Sequence, residues 1–268
     1  MSLAMLSIPL VDGLAKYLSA DYSPLFVSWA RYMVACVIVV PIVMINRGPR
    51  IFPSERLAAH TLRTVFLVTS MTLYFMSIAV IPLATAVTAY FVAPIIAVVL
   101  SLIFLKERLT IRKFLSLILG FGGAMVILKP TGGVELGILL AFGAGAFFAL
   151  YMIATRQASQ QSDPMKTLAF QCVVGALLLA PQGIWMWSVP AAEHLLLFAG
   201  LGAFSALSHI LSIKAFGYSD ASTLAPLVYL ELVAVAAIGY LVFAEVPSAA
   251  TTIGAIFIVF GGLILIKR

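Results

Sequence analysis

YSPLFVSWARYMVACVIVVP, residues 22–41, aligns without a gap against SDPMKTLAFQCVVGALLLAP, residues 162–181, at an offset of 140. Pro24 meets Pro164 and Pro41 meets Pro181. Each segment is long enough to cross a bilayer core, which asks for about 20 apolar residues per helix. Two further pairs keep nearly the same offset. LATAV (83–87) with APIIAVVLSLIFLKERL (93–109) resembles DASTLAPLVYLELVAVAAIGYLVFAEV (220–246), and FGGAMVILK (121–129) resembles FGGLILIKR (260–268). The chain therefore reads as two copies of one unit, residues 1–130 and 131–268.

Composition says what surrounds these copies. Of 268 residues, 63% are hydrophobic and only 10% charged, against about 25% charged in an ordinary soluble domain. Such a chain cannot make a polar skin, so its solvent is largely lipid. Cutting at charges, prolines and polar turns leaves ten spans, roughly 3–20, 25–45, 62–80, 83–105, 112–128, 134–155, 165–187, 194–213, 221–244 and 249–266. The expected fold is all-α and polytopic, with five spans in each copy. An odd number makes the second copy enter the membrane from the opposite side.

The charges fit that inversion. KERLTIRK follows span four, whereas its counterpart after span nine, EVPSAA, has no basic residue. Thirteen of the 16 basic residues fall on the side of the termini, Lys16 and Lys129 on the other, and Arg31 inside span two. The positive-inside rule then puts both termini in the cytoplasm, with the chain in the cell's inner membrane. The basic excess is topology, and no nucleic-acid partner is expected. Cys36 and Cys172 sit inside apolar stretches as small core residues. Asp12 and Lys16 interrupt the first apolar stretch, so a cleavable leader is not expected. Inverted repeats of this kind build alternating-access transporters, with the site near midplane between the halves.

The motifs also resemble a known family. The fourth span running into KERLT, the GFGG segment of the fifth (120–123) and the weaker echo ending in FAE (243–245) are similar to the EamA-type drug/metabolite transporter superfamily over essentially the whole chain. The resemblance implies ten helices and the export or import of amino acids, nucleotide-like metabolites, vitamins or drugs. In that family the ninth helix often has a proline equivalent to Pro94 of the fourth. Here Glu231 stands at that place.

Charges at membrane depth are costly and face a cavity or a partner. Glu231 is about ten residues into span nine, roughly 15 Å deep at the rise of a helix. It can bind a cationic group, take the coupling proton, or tie its helix to a neighbour. Arg31 can clamp a substrate carboxylate, pair with Glu231 or Asp12, or snorkel to the headgroups. Its repeat counterpart is the neutral Gln171. Asp12 and Lys16, four apart, can neutralise each other, while Pro9 and Gly13 suit a loosened helix with free carbonyls. His209 can shuttle protons, but the favoured reading is a residue satisfied by its neighbouring serines. Trp29, Tyr90, Tyr151 and Tyr229 lie well inside spans two, four, six and nine and can line a cavity for a planar or apolar substrate, or simply fill the core. Tyr229 and Glu231, two apart on a helix, diverge by about 200° and cannot share one narrow pocket. Pro9, Pro94 and Pro226 are expected to bend their helices. Glu107 and Glu245 fall at membrane boundaries, where a carboxylate can cap a neighbouring helix or pair locally.

No HExxH, Walker A or nucleophile elbow occurs in the sequence, and GFGG follows no strand, so it is no dinucleotide fingerprint. The expectation is a secondary transporter, not an enzyme, with no cofactor and no metal. Its expected partners are a small amphipathic organic metabolite, membrane lipid and, as coupling ion, the proton. Monomer and homodimer both remain open. A channel or assembly protein is the alternative, and a lipid-modifying membrane enzyme the more remote one.

Overall fold

At membrane depth the backbone has no water to bond, so an apolar run closes its own hydrogen bonds as helix. The structure, a computed structural model, describes residues 1–81, 86, 89–128, 136–160, 162–234 and 249–266. Regular structure among these residues is entirely helical. The helices are α1 (Ser2–Leu18), α2 (Pro24–Arg47), α3 (Leu57–Val80), α4 (Ala93–Phe104), α5 (Ile111–Leu128), α6 (Leu136–Ser159), α7 (Pro164–Trp185), α8 (Leu195–Tyr218), α9 (Ala221–Ala234) and α10 (Ala249–Ile266). Within α9, Ala225–Tyr229 tightens to a 3-10 turn. Five segments among the described residues are long and apolar enough to cross a membrane: α2, α3, α6, α7 and Ala192–Tyr218, which joins a short turn to α8. The chain is an all-helical, polytopic membrane protein. Glu245, Lys129, the boundary between residues 130 and 131 and the second half of span nine lie outside the described residues.

Helix starts follow local chemistry. Pro24 and Pro164 open α2 and α7, where a missing N–H costs nothing. The Asp163 carboxylate accepts from the N–H groups of Met165 and Lys166. Proline acts differently in the fourth and ninth spans. Pro94 stands in the first turn of a helix that restarts after a turn at residues 91–92, whereas Pro226 sits in the 3-10 stretch where α9 tightens without a break. Pro9 stays inside a continuous α1.

Helices pack in cross-chain pairs: α1 on α8, α2 on α7, α3 on α6 and α5 on α10, with α4 against α6 and α9. Lipid offers no hydrophobic drive between helices, so small residues and hydroxyls hold such pairs together. The Ser70 and Ser77 hydroxyls each donate at 2.8 Å to α6, to the carbonyls of Ala144 and Gly137. The Tyr90 carbonyl, left without a donor because Pro94 has no N–H, lies where a Cβ on Gly145 would come within 2.5 Å of it. Gly123 of α5 faces α10 as closely: a Cβ there would be 2.6 Å from the Gly254 carbonyl oxygen and 2.9 Å from Ile258. We therefore expect Gly123→Val to separate α5 from α10 and cost about 1–3 kcal/mol. Thermal unfolding in detergent reads this, and an unchanged midpoint would show that the two helices slide apart freely.

Candidate substrate cavity

Between α1, α2, α3, α6, α8 and α9 lies a cavity with about 590 Å³ of empty space, part of it open to solvent. Asp12 of α1, Arg31 of α2 and Glu231 of α9 all border it, although each is at least nine-tenths buried. The carboxyl groups of Asp12 and Glu231 face each other within hydrogen-bonding reach, and Arg31 is near enough for its charge to act on Asp12. Two carboxyl groups can share a hydrogen bond only when one of them holds a proton.

Arg31 is the unusual member. Its Nε and Nη2 are buried without a hydrogen-bond partner, and no carboxylate lies within ion-pair distance among the described residues. Its guanidinium rests instead on aromatic faces, 4.8 Å from the Tyr32 ring centroid and 5.5 Å from that of Phe75. Of the readings open to Arg31 in the sequence, the direct ion pair and the snorkel to the headgroups are therefore not what the structure holds. Asp12 and Lys16 do not neutralise each other either. Lys16 turns outward and its Nζ donates at 2.9 Å to the Ile78 carbonyl in the last turn of α3, where helix carbonyls lack partners.

One wall is aromatic. Tyr74 and Tyr90 have ring centroids 5.0 Å apart, Tyr90 and Phe148 5.4 Å, and Phe148 and Tyr151 5.7 Å, a continuous tilted stack along the cavity. The opposite wall is α8, which presents Ser205, Ser208, His209 and Ser212. His209, read from the sequence as satisfied by its neighbouring serines, borders the cavity and meets Tyr151 edge-on at 6.2 Å. Its signal was there in outline: positions 205, 208, 209 and 212 share one helical face.

Trp29 and Tyr229 lie elsewhere. Trp29 packs on Gly183 of α7 and meets Trp187 edge-on at 5.8 Å. Tyr229 packs on Gly120 of α5 and donates its hydroxyl to the Phe91 carbonyl at 3.2 Å. Each is two residues from a charged residue that faces the cavity, so each helix turns it to the far side. Arg63, counted above as a flanking charge, is instead wholly buried in the bundle.

Polar contacts close the bundle beside the cavity. The Glu107 carboxylate, from KERLT, accepts from the N–H groups of Ala221 at 3.0 Å and Ser222 at 2.9 Å, and from the Ser222 hydroxyl. It caps α9, as expected for a boundary carboxylate. Lys113 reaches Asp220 at 2.9 Å; Arg156 pairs with Asp220 at 3.2 Å and donates to the carbonyl of Phe216, a residue of the cavity wall.

The sequence profile of the EamA-like transporter family matches residues 1–129 and 135–267. An S-adenosylmethionine uptake transporter of Rickettsia prowazekii is 27% identical over 98% of this chain and 90% of its own length. A riboflavin transporter of Vibrio cholerae is 26% identical, over 96% of this chain and 88% of its own. A pseudopaline exporter of Pseudomonas aeruginosa is 32% identical over 69% of this chain and 66% of its own. A crystal structure of a protein only 18% identical superposes with a TM-score of 0.82, covering 98% of this chain and 92% of that one. That likeness speaks for the fold alone.

Proposed function

Because this chain belongs to the EamA-like transporter family, and so moves small metabolites across a membrane by secondary transport, we propose that its cargo carries a carboxylate, a cationic group and a planar ring. The observation behind the proposal is one cavity that brings together three unlike surfaces. The unpartnered N–H groups of Arg31 suit a carboxylate. The Asp12–Glu231 carboxyl pair suits a cation, and the Tyr74–Tyr90–Phe148–Tyr151 wall suits a flat ring. S-adenosylmethionine, named for relatives that match nearly the full chain, has an amino-acid carboxylate, a sulfonium and an adenine, one for each surface. Trp29 and Tyr229 have no part in this reading.

In this reading the two copies are inverted halves that alternate access around the cavity. Helix pairing supports it: exchanging each helix for its repeat counterpart turns α1 on α8 into α6 on α3, and leaves α2 on α7 and α5 on α10 unchanged. The bias of basic residues toward the loops on the side of the termini supports a cytoplasmic location for both ends, with Arg63 now set aside as a buried residue.

The Asp12–Glu231 pair is the candidate proton carrier, since the proton that lets the two groups bond must leave for a cation to take its place. In proteoliposomes charged with S-adenosylmethionine, Glu231→Gln is expected to abolish acceleration by a pH gradient while leaving counterflow exchange. Gradient-driven uptake equal to that of the unaltered protein would sink the proton assignment. Absence of any S-adenosylmethionine binding or flux in the unaltered protein would sink the substrate reading.

A further inference from the structure

Arg63 is the largest wholly buried side chain among the described residues, at 0% exposure, and nothing above uses it. Its Nε donates to the Thr155 hydroxyl at 2.8 Å, and its Nη2 donates to the Gln171 side-chain carbonyl and, at 3.5 Å, to the Tyr151 hydroxyl. Its guanidinium carbon is 5.2 Å from the Tyr151 ring centroid. Nη1 is buried without a partner, as is the Gln171 Nε2. Among the described residues no carboxylate pairs with it.

A guanidinium can only donate. In that contact Tyr151 accepts from Arg63, which leaves its phenolic hydrogen for another acceptor, and Tyr151 borders the cavity. Arg31 borders the same cavity with two unused donor nitrogens, Nε and Nη2, and both guanidinium groups are within electrostatic reach of His209. Every unused group named here, on Arg31, Arg63 and Gln171, is a donor. Both guanidinium groups hold spare donors with no carboxylate at ion-pair distance among the described residues, and a carboxylate on the cargo can take those donors.

We infer that Arg63 is a positioning residue for the anionic end of the cargo, acting through Tyr151, which it holds as a hydrogen-bond donor into the cavity beside Arg31. The inference rests on the carboxylate reading of Arg31 given above. The repeat pairs Arg31 with Gln171, the residue that accepts from Arg63. Positive charge thus reaches this part of the bundle from α2 and from α3, without symmetry.

The test compares binding of S-adenosylmethionine and its decarboxylated form to the purified protein by calorimetry. Arg63→Gln is expected to weaken the carboxylate form about tenfold and to change the decarboxylated form by less than about twofold. Tyr151→Phe should show the same selectivity, and the double variant should be no worse than either single one, as for two residues that act as a unit. Arg63→Lys, which keeps the charge, should recover part of the loss. Equal weakening of both ligands, or additive losses in the double variant, would reduce Arg63 to a structural residue. If Arg63→Gln does not fold, Tyr151→Phe and Arg63→Lys decide the matter, and no selective loss in Tyr151→Phe overturns the inference. Arg31→Gln separates the two levels. If it discriminates the ligands and Arg63→Gln does not, only the role of Arg63 falls. If neither discriminates, or the unaltered protein binds neither ligand, the carboxylate reading falls and this inference with it.

Discussion

Replacing Arg31 with glutamine is expected to weaken binding of a carboxylate-bearing cargo by about a hundredfold and to leave its decarboxylated analogue nearly unaffected. The size follows from two charge-assisted hydrogen bonds, at about 1.5–3 kcal/mol each, partly offset because glutamine can still donate one. The direction follows from burial. Arg31 is 2% exposed, so a carboxylate that meets it has already left water, and water does not replace the lost donors. Arg31→Lys should recover less than the retained charge would imply, because an ammonium cannot grip both carboxylate oxygens in a plane. The aromatic rings under the guanidinium also favour its flat shape. Equilibrium binding of the two analogues measures all of this. A glutamine variant that bound both as the unaltered protein does would mean that Arg31 never meets the cargo.

The second large effect is expected at Glu107. Glu107→Ala removes the acceptor of two backbone N–H groups and one hydroxyl at the start of α9. It also takes a counter-charge from Arg156, whose Nε is 3.9 Å from the carboxylate. Loss of a cap costs about 0.5–2 kcal/mol, and Arg156, still paired with Asp220, loses the weaker of its two carboxylate contacts, which adds up to about 1 kcal/mol. Glu107→Gln keeps one acceptor oxygen and should fall between. Because α9 also holds Glu231, ten residues on, transport should decline in the same order as the thermal midpoint. Equal midpoints for the three proteins would show that the cap does not hold α9.

The fold was largely legible in the sequence because lipid imposes a simple rule. A span must be long, apolar and helical, so hydropathy and proline positions find it with little reference to its neighbours. LKERL was legible too, since a carboxylate at the end of a span has few uses, and capping α9 is one of them. Arg63 was misread because a basic residue near a span end normally reports topology. α3 begins at Leu57, earlier than hydropathy implies, and that extra turn carries Arg63 into the bundle.

The site was legible only in part. Charges at midplane announce a cavity, so Asp12, Arg31 and Glu231 stand out in any reading of the sequence. The aromatics carry no such penalty for being misplaced, since a tyrosine packs as well against a glycine as against a substrate. The two-residue rule that separates Tyr229 from Glu231 also separates Trp29 from Arg31, and applied to both helices it places each aromatic opposite its charge.

Length and hydropathy were enough for an all-helical, polytopic chain of about ten helices and for charge buried inside its apolar runs. Which side chains meet was not, because a contact between α1, α2 and α9 depends on how each helix is rotated and where it breaks. Rotation is a tertiary quantity. It comes from glycines under aromatic rings, serines bonded across helices and prolines that free a carbonyl, all of them summed over the bundle. Packing alone set Asp12 against Glu231, left Arg31 without a carboxylate, and placed Arg63 behind Tyr151.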